Sequence, residues 1–301
     1  MEDHKAPLEK GELVHMQKIV PFLWFVDNAQ EVVAFYTSIF ADSRIVHADK
    51  LVSTFELAGL EFMALNGGDY QHPNPSISSF VSCETEEQIN TLWEKLLPDG
   101  KVLIPFDTYP FSKKYGWLSD KYGVSWQLNL TGDKQKIAPA FMFTGDKAGK
   151  AEEAIRFYTS LFENSRINAL VHYEPGEGDK EEFLKFASFV LSGQDFVAMD
   201  SSLPHDFTFS EGVSLFVRCQ DQKEVDRFWE ELSAQPDAEQ CGWLKDKFGV
   251  SWQIIPNVLM ELMADPDREK ADRVMQAMLK MKKIEVKGLQ EAYRGGADNN
   301  G

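Results

Sequence analysis

The chain repeats itself at long range, and this repetition constrains its fold more than any other feature. FYTSIFADSRI at 35–45 recurs as FYTSLFENSRI at 157–167, with eight of eleven residues identical. YGWLSDKYGVSWQL at 115–128 recurs as CGWLKDKFGVSWQI at 241–254, with ten of fourteen identical. Two further matches keep the same order: 53–66 with 187–200, and 77–96 with 213–232. The pattern predicts a duplicated domain of about 120 residues rather than a short-period solenoid.

Within each copy, the sequence predicts one order of strands and a helix, and this order occurs twice. IVPFLWFV at 19–26 is a short apolar run typical of a strand, and residues 29–40 carry their apolar side chains on one helical face. Asn28 and Glu31 have the spacing of a capping box at the start of that helix. The remaining predicted elements of this copy are up to three strands over 43–66, a strand at 76–83, a helix at 84–97, and strands near 101–108, 115–119 and 124–130.

The predicted order is therefore strand–helix–three strands, twice in each copy, which indicates an α+β protein built from βαβββ modules. We predict a flexible N-terminal arm at 1–16 and two domains, one for each copy. These domains are 17–130 and 137–256, followed by a helical extension at 257–294. Val274, Met278 and Met281 form one stripe on that extension, which favours a packing face against a domain or a partner.

Charge and composition exclude several functions. Asp and Glu number 48 against 31 Lys and Arg, a formal charge of −17, so nucleic acid and anionic membrane surfaces are not expected partners. No apolar run reaches the roughly 18 residues of a membrane span, and the N-terminus lacks the apolar core of a signal peptide. Three cysteines without a CxxC pair make a poor disulfide framework, so a cytoplasmic location is expected.

Four segments carry a resemblance to a known family. PFLWFVDNAQEVVAFYTSIF, FELAGLEFMALNGG, SCETEEQINTLWEKL and GWLSDKYGVSWQL resemble the PhnB-like family, and the second copy resembles it too. This family is a branch of the vicinal-oxygen-chelate superfamily of glyoxalase I, extradiol dioxygenases and bleomycin-resistance proteins. The resemblance implies that the two βαβββ modules of each copy pair in one cup-shaped mixed sheet around a cavity. It also implies that the two copies form a pseudo-dimer within one chain, with further self-association left open.

Many members of this family carry the label 3-demethylubiquinone 3-methyltransferase. A methyltransferase domain of the usual type needs a glycine-rich loop that follows a strand and opens a helix. The nearest candidates, NGGD at 66–69 and GEGD at 176–179, follow strand segments but open no helix. We therefore expect the label not to describe this chain.

The resemblance also implies the superfamily's divalent metal site, but the residues at its ligand positions do not support one. By spacing from the helix and turn motifs, the four ligand positions fall on Pro21, Ala64 (Met63 if the register slips), Ser78 and Gln127. The second copy has Pro139, Ala198, Ser214 and Gln253 at these positions. A neutral amide with a hydroxyl is a poor donor set for a divalent ion, so no metal cofactor is expected.

The resulting hypothesis is a metal-free small-molecule-binding protein with a largely apolar cup. Repeated polar and aromatic residues on the predicted inward strands supply the candidate ligand-binding residues, which are Phe25, Ser78, Trp117, Gln127, Phe143, Ser214, Trp243 and Gln253. Two alternatives stay open. One is a superfamily enzyme of glyoxalase, dioxygenase or transferase type with an atypical site, although no strong general base is evident. The other is an interaction or structural protein whose cups have lost their cavity.

Overall fold

The computed structural model describes residues 16–295. The predicted flexible arm therefore lies outside the described residues except for Met16. The first copy contains β1 (Ile19–Phe25), α1 (Ala29–Ile39), β2 (Ser43–His47), β3 (Val52–Leu57), β4 (Leu60–Asn66), β5 (Ile77–Cys83), α2 (Glu86–Leu96), β6 (Lys101–Tyr109), β7 (Ser112–Ser119) and β8 (Ser125–Leu130). The second copy contains β9 (Lys136–Phe143), α3 (Ala151–Leu161), β10 (Arg166–His172), β11 (Leu184–Leu191), β12 (Gln194–Asp200), β13 (Val213–Cys219), α4 (Gln222–Leu232), β14 (Trp243–Lys245) and β15 (Ser251–Pro256).

A C-terminal tail of three helices follows the second copy. These helices are α5 (Asn257–Met263), α6 (Arg268–Met278) and α7 (Val286–Arg294). Within residues 16–295, no helix is both long enough and apolar enough to span a membrane.

Side-chain caps fix the starts of α2 and α4 at equivalent positions. Thr85 accepts a hydrogen bond from the Gln88 N–H, and Asp221 accepts one from the Glu224 N–H. The capping box expected at Asn28 is wrong, because the Asn28 side chain makes no cap bond. The amide oxygen of Asn66, at the end of β4, accepts from the Ala29 N–H at 2.8 Å instead.

The strands form two mixed sheets. Sheet A has the order β14-β15-β13-β1-β4-β3-β2, and sheet B has the order β10-β11-β12-β9-β5-β8-β7-β6. Each sheet combines one module of each copy, so the expectation that each copy closes its own sheet is wrong. The copies meet at the pair β1–β13 in sheet A and the pair β9–β5 in sheet B, and both pairs are antiparallel. Their registers are equivalent, because Pro21 lies opposite Leu215 and Pro139 lies opposite Ser79. This arrangement fits a pseudo-dimer within one chain.

The two modules of one copy remain joined through their helices. In the first copy, Tyr36 of α1 donates to Asp120 Oδ2 at 2.6 Å, and Trp126 of β8 donates to the same oxygen at 2.9 Å. Tyr158, Asp246 and Trp252 repeat the arrangement in the second copy, at 2.6 and 2.8 Å. Strand pairing therefore joins the copies, whereas the buried core under the helices joins the modules within a copy.

The second copy lacks a counterpart of β6. Equivalent residues of the two copies are 136 positions apart in β5 and α2 but 126 positions apart in β7. The second copy is therefore ten residues shorter between these elements. A short 3₁₀ helix, Pro236–Ala238, occupies the connection. The tail supplies the missing neighbour, because the N–H groups of Cys241 and Gly242 donate to the carbonyls of Met281 and Lys282 at 2.8 and 2.7 Å.

Candidate functional site

The face of sheet B that lies away from the helices carries a chain of three polar side chains; we call this face the sheet B cup. Tyr115 of β7 donates its hydroxyl proton to Gln127 Oε1 of β8 at 2.8 Å. Gln127 Nε2 donates to Ser78 Oγ of β5 at 2.8 Å. All three side chains are buried. The sheet thus brings together two of the residues that the sequence marked, Ser78 and Gln127, and adds Tyr115.

The chain of hydrogen bonds has a direction. Burial raises the pKa of Tyr115 well above its ordinary value, so this hydroxyl stays protonated and acts as a donor to Gln127. Since Ser78 Oγ accepts from Gln127, its own proton is left to donate, and it meets no acceptor among the described residues. The arrangement therefore offers a hydroxyl donor at its Ser78 end.

Apolar side chains surround this polar chain. Phe80 and Phe186 lie with ring centroids 6.1 Å apart, and both remain half-buried beside Met199. Ala138 and Ala140 place small side chains on the same face. Trp117 is buried, and its indole N–H donates to Ser125 Oγ at 2.6 Å. Trp117 therefore forms part of an apolar wall whose own polar atom is satisfied.

Asn129 adds one unsatisfied atom to this face. It lies directly opposite Tyr115 in the β7–β8 pair and shares the face of Gln127 two residues earlier. Among the described residues, its amide oxygen is buried and has no hydrogen-bond donor. A buried carbonyl oxygen without a donor is costly, which makes this atom a second candidate anchor for a bound molecule.

The equivalent face of sheet A, the sheet A cup, keeps part of the same site. Gln253 Nε2 donates to Ser214 Oγ at 2.9 Å, and Trp243 lies opposite Gln253 on the neighbouring strand. The repeat places Cys241 where the sheet B cup has Tyr115, and Ile255 where it has Asn129. This cup therefore lacks two polar side chains that the sheet B cup carries.

The tail covers the sheet A cup. Val274, Ile284 and Leu289 are fully buried in one cluster with side chains of the sheet, including Phe22 and Phe216. Met278 and Met281 pack against the same cluster, so the predicted stripe on the extension is a packing face against the chain's own sheet. The sheet B cup has no such helical cover among the residues described.

Two predicted wall residues are placed elsewhere. Phe25 and Phe143 belong to the core on the helix side of their sheets, on the opposite face from Gln253 and Gln127. Phe143 packs there against Phe209, with ring centroids 5.0 Å apart. The expectation that these two phenylalanines line a cup is wrong, because the predicted strand register was displaced by one residue and side chains alternate between faces.

The same displacement applies to four of the eight positions compared with the superfamily's metal ligands. Ala64 and Ala198 lie in the core on the helix side of their sheets. Pro21 and Pro139 belong to the same helix-side faces of β1 and β9. Their cup-facing neighbours are Phe22, Met63, Ala140 and Val197. These side chains offer no nitrogen or oxygen donor, so together with one amide and one hydroxyl they do not fit a divalent metal ion. Within residues 16–295, no group of three or more His, Cys, Asp or Glu side chains could hold a metal.

Sequence reasoning missed the buried Tyr–Asp–Trp groups. Burial raises the pKa of Asp120 and of Asp246, while the hydrogen bonds from tyrosine, tryptophan and backbone act in the opposite direction. Both groups lie in the core and face neither cup, so we assign them a structural role. The available signal was the identity of Tyr36 with Tyr158 and of Asp120 with Asp246 inside the two repeats with the highest identity.

Neither the surface hollows nor the glycine-rich turns form a further candidate site. Surface hollows of about 450 and 440 Å³ lie beside Pro236 and Lys245 and between α6 and α7, outside both cups. NGGD at 66–69 leads from β4 towards β5, and GEGD at 176–179 leads from β10 towards β11. Both turns follow strands and neither opens a helix, as the sequence predicted, and each leads into another strand.

The fold is a duplicated βαβββ arrangement like that of glyoxalase I. The profile of the family described as 3-demethylubiquinone-9 3-methyltransferase matches residues 17–129 and again 135–255. The chain therefore belongs to this PhnB-like family and contains two tandem members of it.

Several solved structures are similar to this chain. A putative 3-demethylubiquinone-9 3-methyltransferase, PhnB protein, from Bacillus cereus is 46% identical, covering 38% of this chain and 100% of its own, with a TM-score of 0.37. A Staphylococcus aureus protein is 34% identical over 38% of this chain and 96% of its own, with a TM-score of 0.18. A glyoxalase I mutant from Zea mays shares the fold, with a TM-score of 0.51 and 10% identity over 80% of this chain and 94% of its own. Among functionally curated proteins, none matches significantly.

Proposed function

We propose that this chain is a metal-independent small-molecule-binding protein and that the sheet B cup holds the ligand. The observation that carries the proposal is the directed chain from Tyr115 through Gln127 to Ser78, which ends in a hydroxyl donor on an apolar face. Ligand sites commonly combine an apolar surface with a few fixed polar groups.

The ligand that suits this face is a mainly apolar molecule with a hydrogen-bond acceptor, such as a carbonyl oxygen, for Ser78. A donor group on the same molecule would satisfy the amide oxygen of Asn129. Half-buried Phe80, Phe186 and Met199 would gain burial on binding, at roughly 25 cal/mol per Å² of apolar surface.

The other functions have less support. An enzyme would need a group that transfers protons near neutral pH, and burial moves the pKa of Tyr115 away from that range. The family description names a methyltransferase, but both glycine-rich turns lead into strands. An interaction protein would use the tail, and the apolar stripe of the tail is already packed against sheet A. We also propose a cytoplasmic location, on the grounds of acidic charge and unpaired cysteines.

The test is a thermal-shift screen of the full chain against a metabolite panel, with and without Mn²⁺, Ni²⁺ and Zn²⁺. We expect hits that raise Tm without metal and that lose their shift in Gln127→Leu. Gln253→Leu is the matched control, because it removes the equivalent side chain beneath the tail and should leave the shift unchanged. A shift that requires metal, or one that survives Gln127→Leu, would refute the proposal.

A further inference from the structure

The tail occupies the sheet A cup in the position that a ligand takes in our proposal for sheet B. Ser214 and Gln253 lie beneath it and keep the same hydrogen bond as Ser78 and Gln127, 2.9 Å against 2.8 Å. The tail side chains that pack against this face are chiefly Val274, Ile284 and Leu289, in one cluster with Phe22 and Phe216. An uncharged, apolar part of the chain thus fills a face that retains a ligand-type polar pair.

The helices α6 and α7 form one unit. Arg273 of α6 donates to the carbonyls of Ala292 and Tyr293 at the end of α7, both at 3.0 Å. These bonds satisfy carbonyl groups that the end of a helix leaves free. These bonds join the two helices to each other independently of the sheet.

The polar attachment of this unit involves the backbone just before β14, at the edge of sheet A, and side chains of α4. Cys241 and Gly242 bond to the backbone of 281–282, while Gln222 accepts from the Val286 N–H at 2.7 Å and donates to the Ile284 carbonyl at 3.1 Å. Lys283 forms an ion pair with Asp226 at 2.5 Å, and this contact lowers the pKa of that carboxyl. Exposed or half-exposed ion pairs contribute little, about 0–1 kcal/mol. The attachment therefore combines these hydrogen bonds with the apolar packing of Val274, Ile284 and Leu289.

We propose that the sheet A cup is a second ligand site and that the tail is its intramolecular competitor. The site takes the same class of molecule as the sheet B cup, an apolar body with a hydrogen-bond acceptor for Ser214, and this part of the proposal rests on the proposed function. With the tail docked, one site per chain is available. With α6 and α7 released, both sites are available, and the backbone edge at Cys241 and Gly242 is exposed.

The first measurement follows native-state hydrogen exchange of the intact wild-type chain. The amides of Cys241 and Gly242 report tail release, because both donate to tail carbonyls. We expect them to exchange at the same rate as amides of α6 and α7, and at least about tenfold faster than amides in the middle of β13. Such exchange would report a local opening whose free energy is lower than that of global unfolding. Exchange of all these amides at the rate of global unfolding would overturn the proposal.

The second measurement counts sites with anilinonaphthalene sulfonate. Ile284→Asp with Leu289→Asp places two charges in the apolar contact between tail and sheet, and we expect it to double the number of bound probes per chain. The added site should disappear in a Gln253→Leu background and on addition of a synthetic peptide of residues 268–294. An unchanged number of probes, or an added site that resists both treatments, would overturn the proposal.

The two proposals fail in different ways. If the probe still binds after Gln127→Leu, the assignment of the sheet B cup as a ligand site is wrong. The proposal for the tail is judged separately, by whether the doubly substituted chain gains a site that depends on Gln253. If the doubly substituted chain loses its sheet signal in circular dichroism, the exchange experiment on the wild-type chain decides alone.

Discussion

The hydroxyl of Tyr36 is the most informative single group to remove. Tyr36→Phe keeps the ring in its packed position and deletes the 2.6 Å hydrogen bond to Asp120 Oδ2. Hydrogen bonds to charged groups contribute roughly 1.5–3 kcal/mol. Trp126 and the backbone N–H groups of Tyr122 and Val124 still donate to this carboxylate, so we expect a loss of about 1.5–2 kcal/mol, the lower part of that range.

The loss should depend on pH with a defined sign. Burial raises the pKa of Asp120, so the folded chain holds this proton more tightly than the unfolded chain, and this group makes folding more favourable as pH falls through the raised pKa. The Tyr36 hydroxyl stabilises the ionised carboxylate and acts against that shift. The difference between wild type and Tyr36→Phe should therefore be greatest where Asp120 is ionised and shrink as pH falls and Asp120 becomes protonated.

Urea unfolding, monitored by circular dichroism at a series of pH values, measures this difference. Tyr158→Phe should lose a similar amount, because Tyr158 makes the same 2.6 Å bond to Asp246. The two groups share no partner, so their losses should add within about 0.5 kcal/mol. Tyr70→Phe is the control, since Tyr70 is 82% exposed. A loss below about 0.5 kcal/mol at neutral pH, or one that grows on acidification, would refute the reasoning.

Three further outcomes are expected. Burial raises the pKa of Cys83 and of Cys219 to about 12, so a disulfide reagent at mildly alkaline pH should modify Cys241 alone in the native chain and all three thiols after denaturation. Gly116→Ala should destabilise the chain by about 1–3 kcal/mol in urea unfolding, because an added Cβ would lie 2.6 Å from the Trp93 ring and 2.9 Å from Phe106. Gly288→Ala, in α7, should instead stabilise the chain by up to about 1 kcal/mol, since its Cβ would meet only the flexible end of Met281 within 3 Å; an unfolding midpoint below wild type would contradict this.

Much of the fold was predictable from local patterns. The apolar runs and the helical face over 29–40 placed β1 and α1 within a residue or two of their observed bounds. The site was predictable only in part, because residues on a strand alternate between faces and a displacement by one residue exchanges them. Ser78 and Gln127 were assigned to the correct face, whereas Phe25 and Phe143 were not. Tyr115 escaped notice because its repeat partner is Cys241 and the two residues share no chemistry.

The exchange of modules between copies could not be read from side-chain patterns at all. Strand β5 is equivalent to β13, and β1 is equivalent to β9, so pairing within a copy or between copies brings the same types of residue together. The connections that lead into β5 and β13 distinguish the two arrangements. They lie against each other where Asn74 donates to the Thr208 carbonyl at 3.0 Å, and where a Cβ on Gly212 would fall 1.8 Å from the His72 carbonyl oxygen.

This crossing gives Gly212 a specific role. Gly212→Ala should force the two connections apart, because a backbone oxygen cannot yield as a side chain can. It should therefore destabilise both sheets together, and the losses in urea unfolding should appear in one cooperative transition. Separate transitions for the two sheets would show that the crossing does not couple them.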